Sequence, residues 1–219
     1  MPDPPPPPLQ GGAEAGQPPR QEPPRPLRLF IAFPLPPELL NRLARLIDNL
    51  KKGLMFTPCR LSWTSPETLH LTLRFLGPSL PEQAEALAAA LDEIARSESP
   101  LRLKARDLDV FPDWRHPRVL WVGVEGRGDR LRVLQGEIES LAVRLGYRPE
   151  KNAFHPHLTL GRFRSLRGIV AARKVVLAHG RFPPVRFHAD RIILYRSELS
   201  PAGARHYRLH EAPLGEPSR

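Results

Sequence analysis

The tetrapeptide His-Leu-Thr-Leu occurs twice, at His70–Leu73 and at His157–Leu160. Leucine at every second position is the pattern of a strand with one buried face. Leu71 and Leu73 then enter a core, and His70 and Thr72 stand on the opposite face. The second copy does the same with Leu158 and Leu160 against His157 and Thr159. A chain that repeats such a strand at matching places in two similar stretches is constrained to fold as two related halves. Packed about a pseudo-twofold axis, the halves bring two imidazoles and two hydroxyls into one cleft.

The flanking segments support that layout. Leu27 to Phe33 reads as a strand stopped by Pro34 and Pro36. Leu39, Leu40, Leu43, Leu46, Ile47 and Leu50 recur at helical spacing. Leu61 to Trp63 and Thr68 to Leu76 read as strands. Ser79 and Glu82 have the form of a capping box, opening a helix with Ala84, Leu87, Leu91 and Ile94 on one face. Leu101 to Val110 and Arg118 to Val124 are strands. Asp129 can cap a helix carrying Leu131, Leu134, Ile138, Leu141 and Leu145, ended by Gly146. His155 to Arg164 is a strand, Val170 to Val176 a short helix, and Val185 to Leu194 and Arg205 to His210 are strands. The expectation is an α+β fold: a bilobal pseudo-twofold arrangement of two antiparallel or mixed sheets, helices on the outer faces, and a central cleft.

The first 26 residues hold 11 of the 28 prolines. Proline fixes φ and lacks an N–H, and no apolar period is present, so residues 1–26 are expected to be a disordered tail. An SH3-type ligand role for Pro4 to Pro8 is the alternative to an uninvolved tail. The folded domain is expected over 27–214, with a C-terminal tail at 215–219. No run of 18 apolar residues exists for a membrane span, and the N-terminus lacks the apolar core of a secretory signal. The lone Cys59 excludes an internal disulfide framework and any cysteine-based zinc cluster. It fits a cytoplasmic protein.

Charge suggests the partner. The formal net charge is +10, and 28 of the 33 basic residues are arginine. The tail contributes −1, so the fold carries about +11. Such a balance suits phosphate-bearing ligands, RNA above all, although an arginine-rich composition alone would also produce it.

Two imidazoles facing one small site can serve as base and acid, and two hydroxyls can donate hydrogen bonds to phosphate oxygens. Spacing alone does not say which histidine does which job. Arg74 shares the expected face of His70 and Thr72. Gly161 can permit a bulge that turns Arg162 toward the cleft. A zinc site at His155, His157 and a third histidine is the competing arrangement, weakened by the absence of a nearby acid. His116, His179, His188, His206 and His210 show no constellation. Among the aromatics, Trp63, Trp114, Trp121 and Phe163 can stack bases. Trp121 reads as core from its neighbours Leu120 and Val122, and Trp114, in a Pro- and Asp-flanked loop, is the better stacking candidate. No P-loop motif is present, and no cofactor is expected.

With these residues in view, the two His-x-Thr-x motifs resemble those of the 2H phosphoesterase superfamily, in particular its RNA 2′,3′-cyclic phosphodiesterase branch, also called 2′-5′ RNA ligase. The segments Arg28 to Ala32, Thr68 to Gly77, Arg118 to Gly123, Phe154 to Arg162 and Leu194 to Leu199 are similar to that family, over about residues 27–214. The proline tail is a departure. The resemblance implies metal-free hydrolysis of RNA ends bearing a 2′,3′-cyclic phosphate to a 2′-phosphate, with 2′-5′ ligation as the reverse reaction. It implies His70 as general acid and His157 as general base, Thr72 and Thr159 on the phosphate oxygens, and Arg162 binding the phosphate. A monomer is expected. A non-catalytic RNA-end-binding module and a metal-dependent phosphodiesterase are the rival classes.

Overall fold

The computed structural model describes residues 26–200 and 203–215. The expectations for residues 1–25, Pro4 to Pro8 included, and for 216–219 lie outside them.

Among the described residues, nine strands and four helices follow one another as β1 (Leu27–Pro34), α1 (Pro37–Leu54), β2 (Arg60–Trp63), β3 (His70–Ser79), α2 (Pro81–Ser97), β4 (Leu101–Phe111), β5 (Val119–Gly126), α3 (Arg130–Arg144), β6 (His157–Ser165), α4 (Ile169–His179), β7 (Val185–Ala189), β8 (Arg191–Ser200) and β9 (Gly203–Pro213). They form two antiparallel sheets, ordered β3-β1-β8-β9 and β2-β6-β5-β4-β7.

Helices α1, α2 and α3 carry the expected apolar stripes. In α1, Leu39, Leu43, Leu46, Ile47, Leu50 and Leu54 are buried. All but Leu54 meet Leu29, Ile31 and Phe33 of β1 and Leu71 and Leu73 of β3 in the main core. On the second sheet, Leu120, Val122, Leu158 and Leu160 join Leu131, Leu134, Ile138 and Leu141 of α3. The alternate residues of β1 and β8, Phe30, Ala32, Ile193 and Tyr195, form a separate small cluster on the other face of the first sheet. That face is where His70 stands.

The halves are not self-contained. β1 and β5, β3 and β6, and β8 and β4 hold equivalent places in the two sheets. Yet β4 follows the first half in sequence and lies in the second sheet, while β8 follows the second half and lies in the first. Each half therefore closes the other's sheet, which ties the lobes into one unit.

Three local expectations are corrected. Ser79 ends β3, its hydroxyl bonded to the Gly77 carbonyl, and the cap moves one residue on, where the Leu80 N–H donates to Gln83 Oε1 at 2.9 Å. Pro81 at the first helical position sets that register. Asp129 occupies the N-cap of α3 but makes no side-chain cap bond. Val185 to Leu194 is two strands, broken at Asp190, because β7 belongs to the second sheet and β8 to the first.

Candidate active site

β3 and β6 carry the two tetrapeptides, and both keep the predicted alternation: His70, Thr72, His157 and Thr159 are half-buried on one face, and their leucines are buried on the other. Each strand is then interrupted in the same way. The β1–β3 register shifts so that Ala32 faces Thr72 and Ile31 faces Arg74. The β5–β6 register shifts so that Trp121 faces Thr159 and Leu120 faces Gly161. Leu73 and Leu160 are the extra residues, and two successive side chains point inward at each bulge.

The bulges have opposite chemical results. In β6 the second inward residue is Gly161, and Arg162 emerges, exposed, on the face of His157 and Thr159. A Cβ at 161 would stand 3.1 Å from the Ser62 carbonyl oxygen and 3.3 Å from the Trp63 ring, because β2 runs alongside. In β3, an edge strand, the second inward residue is Arg74, which is 6% exposed. Its guanidinium pairs with Glu139 of α3 and with Glu150, and bonds the Phe75 and Arg148 carbonyls. The expectation that Arg74 shares the His70 face is thus overturned, and Phe75 takes the place that Arg162 holds in the other half.

The two imidazoles are oriented identically. His70 Nδ1 lies 2.7 Å from the Thr68 carbonyl oxygen, and His157 Nδ1 lies 2.7 Å from the His155 carbonyl oxygen. A backbone carbonyl only accepts, so each Nδ1 carries the proton and each neutral ring keeps Nε2 as its basic atom. His155 thus contributes its backbone; its side chain is exposed.

Aromatic rings pack around both. Around His70 stand Phe30 at 4.7 Å, His206 at 5.4 Å and Tyr195 at 6.2 Å between centroids. Around His157 stand Phe111 at 5.0 Å and Trp121 at 6.2 Å, themselves stacked at 4.6 Å. Trp121 is therefore on the cleft face and not in the core. Its buried neighbours Leu120 and Val122 in β5 point the other way, a signal that period two already contained. His206 is the other residue without a sequence signal, since it reaches His70 only because β9 completes the first sheet.

These surroundings depress both imidazoles. Burial pushes His70 down to about 4, opposed by its bond to Thr68 and aided by the charges of His206 and His157. Burial also lowers His157, with the Arg162 and His155 charges acting in the same direction. His206 is lowered by burial as well. Near neutral pH and without substrate, the cleft thus presents neutral rings. Neither threonine hydroxyl, nor the Arg162 guanidinium, is engaged by another described residue.

Trp114 stands elsewhere, packed against the core in the turn after β4 with the Arg173 guanidinium 5.8 Å from its ring. It is not among the rings around either histidine. Trp63 and Phe163 pack inward. Among the described residues no group of three or more histidines, cysteines or acids is placed to hold a metal ion, and no helix is long and apolar enough to cross a membrane.

Comparison with known proteins bears on the family and the fold. The family described as LigT like phosphoesterase matches twice, over residues 33–121 and 122–206, so its unit is the half that the repeat outlines. A protein of Aeropyrum pernix named "RNA 2′,3′-cyclic phosphodiesterase" is 33% identical over 183 residues, which cover 83% of this chain and 99% of the relative. A Thermotoga maritima protein of the same name is 30% identical over 186 residues, 84% of this chain and 94% of the relative. Among solved structures, a Thermus thermophilus protein superposes with a TM-score of 0.67 at 29% identity, over 87% of this chain and 99% of that one. E. coli LigT complexed with 3′-AMP superposes with a TM-score of 0.66 at 27% identity, over 86% of this chain and 98% of that one.

Proposed function

The chain belongs to the LigT-like phosphoesterase family, and from that premise we propose that its cleft opens 2′,3′-cyclic phosphate ends of RNA to 2′-phosphomonoesters, with His157 as general base and His70 as general acid. The relatives named RNA 2′,3′-cyclic phosphodiesterase support the reaction. The observation that carries the mechanism is the pairing of two imidazoles whose Nδ1 atoms are both committed to backbone carbonyls.

Water attacks phosphorus while His157 Nε2 takes its proton, and the bond from phosphorus to O3′ breaks as His70 Nε2–H protonates the departing oxygen. One proton enters and one leaves, so the site ends with the two histidines exchanged in charge. Thr72, Thr159 and Arg162 bind the non-bridging oxygens, where charge develops. No metal or nucleotide cofactor is called for. Run backwards with a 5′-hydroxyl in place of water, the same steps join RNA ends through a 2′-5′ bond.

The roles have an electrostatic basis. The acid must be charged when substrate is bound, although burial leaves both rings neutral without it. An arriving phosphate anion favours a proton on the nearby imidazole that lacks a competing cation. Arg162 beside His157 opposes a proton there, whereas the equivalent of Arg162 in the first half is Phe75; burial depresses His70 as well, so on this reading His70 takes up its proton only when the substrate anion is bound. On this reading the enzyme acts as a monomer.

The test is turnover of an RNA ending in a 2′,3′-cyclic phosphate, with the position of the product phosphate determined. Multiple turnover to a 2′-phosphate supports the proposal. Stoichiometric binding without turnover would leave a binding module, and a 3′-phosphate product would reverse the leaving oxygen.

A further inference from the structure

We propose that the body of a single-stranded RNA leaves the cleft over the second half, along β6 and into the turn before α4, with Arg164 and Arg167 holding its phosphates beyond the reacting one. This rests on the RNA reading of the cleft.

The stretch from Lys151 to Ala189 contains six arginines and two lysines and not one acid. All eight cations are exposed. Elsewhere the basic side chains are partly neutralised, as in the pairs of Arg74 with Glu139, Arg106 with Asp107, Arg130 with Glu98 and Arg191 with Glu211. None of the eight has an ion-pair partner among the described residues. A positive field of one sign, left unmatched, favours a polyanion.

The strand geometry says where that field begins. Beyond the bulge, Phe163 packs inward, so Arg162 and Arg164 stand on the face of His157 and Thr159. Two residues along a strand span about 6.6 Å. Arg167 follows in the turn that leads into α4, and its backbone N–H bonds Ser165 Oγ. The line His157, Thr159, Arg162, Arg164 thus leads out of the cleft along β6, and Arg167, exposed, lies just past its end.

The pseudo-symmetry shows that the row is one-sided. In β3 the places of Arg162 and Arg164 are held by Phe75 and Gly77, and the arginine that is present there, Arg74, is buried in its own ion pairs. An extended polyanion therefore finds unpaired arginines beyond the reacting phosphate along β6 and not along β3.

The experiment compares a cyclic-phosphate-ended dinucleotide with a cyclic-phosphate-ended decamer on the full chain and on the Arg164→Gln/Arg167→Gln double variant. The ratio of kcat/KM for decamer over dinucleotide should fall about tenfold in the variant. The slope of log affinity for the decamer against log salt should become shallower by about 1.4, that is ~0.7 per lost contact. Arg127→Gln/Arg144→Gln, on exposed positions outside this stretch, should change neither. A ratio and slope unmoved by the first variant, or moved equally by the second, overturn the proposal. A decamer that binds with the predicted slope but is never turned over would refute the catalytic reading and leave the track standing.

Discussion

The burial of His70 makes a thermodynamic prediction that needs no substrate. Its folded-state value of about 4 lies below the ordinary 6.5. The unfolded chain therefore binds a proton that the folded chain refuses, and stability rises with pH between these values. His70 imposes no penalty above about 6.5, and the penalty grows as pH falls toward 4. The drop corresponds to about 3 kcal/mol when complete, at roughly 1.4 kcal/mol per tenfold change in proton affinity. Such a loss is a large part of a domain's stability. His70→Asn isolates the effect, since its amide can still donate to the Thr68 carbonyl but does not titrate. Denaturant unfolding of both proteins, followed by tryptophan fluorescence from about pH 7.5 to about pH 4, gives the stability difference at each pH. The variant should gain on the parent by about 3 kcal/mol across that range. Added phosphate should shrink the gain, because an anion in the cleft lets His70 hold its proton. Curves that stay parallel to within about 0.5 kcal/mol would show that His70 titrates as in water and would refute the burial argument.

Other outcomes follow from the same geometry. His70→Ala and His157→Ala should each lose about 10²–10⁴ in kcat, and the double variant far less than the product of the two, because the pair acts as one unit. A substrate with a good leaving group should rescue His70→Ala and not His157→Ala; the opposite pattern would exchange the roles. In the pH profile of kcat/KM, both limbs should lie below 6.5, since burial lowers both imidazoles, and a basic limb above about 7 would contradict this. Arg74→Met should cost about 2–3 kcal/mol of stability by leaving the half-buried Glu139 without its partner, measured by denaturant melts, yet leave kcat of the folded protein within about threefold. Turnover should persist in EDTA, and loss restored by zinc or manganese would overturn the metal-free mechanism.

Period-two alternation was enough to put His70 with Thr72 and His157 with Thr159 on one face each, because a strand offers its side chains only two directions. The same rule points Trp121 away from its buried neighbours, and the core reading drawn from those neighbours is the one the structure overturned. It failed at Arg74, since a bulge reverses the alternation and nothing within β3 announces one. At Gly161 a bulge was legible, because glycine has no side chain to bury. Helices α1, α2 and α3 were likewise readable from their apolar stripes, as was the two-half plan from the repeat.

What pairs with what was decided by packing. The exchange of β4 and β8 between the sheets, the split at Asp190 and the arrival of His206 beside His70 all depend on contacts between residues far apart in the chain. Local propensity fixes which segments are extended but carries no information about their partners. The depressed imidazoles have the same origin. The sequence by itself determined two histidines and two threonines on matching strands; the tertiary structure decided that aromatic rings from β1, β4, β5, β8 and β9 would desolvate those histidines, because a residue's solvent exposure is set by every element that packs on it.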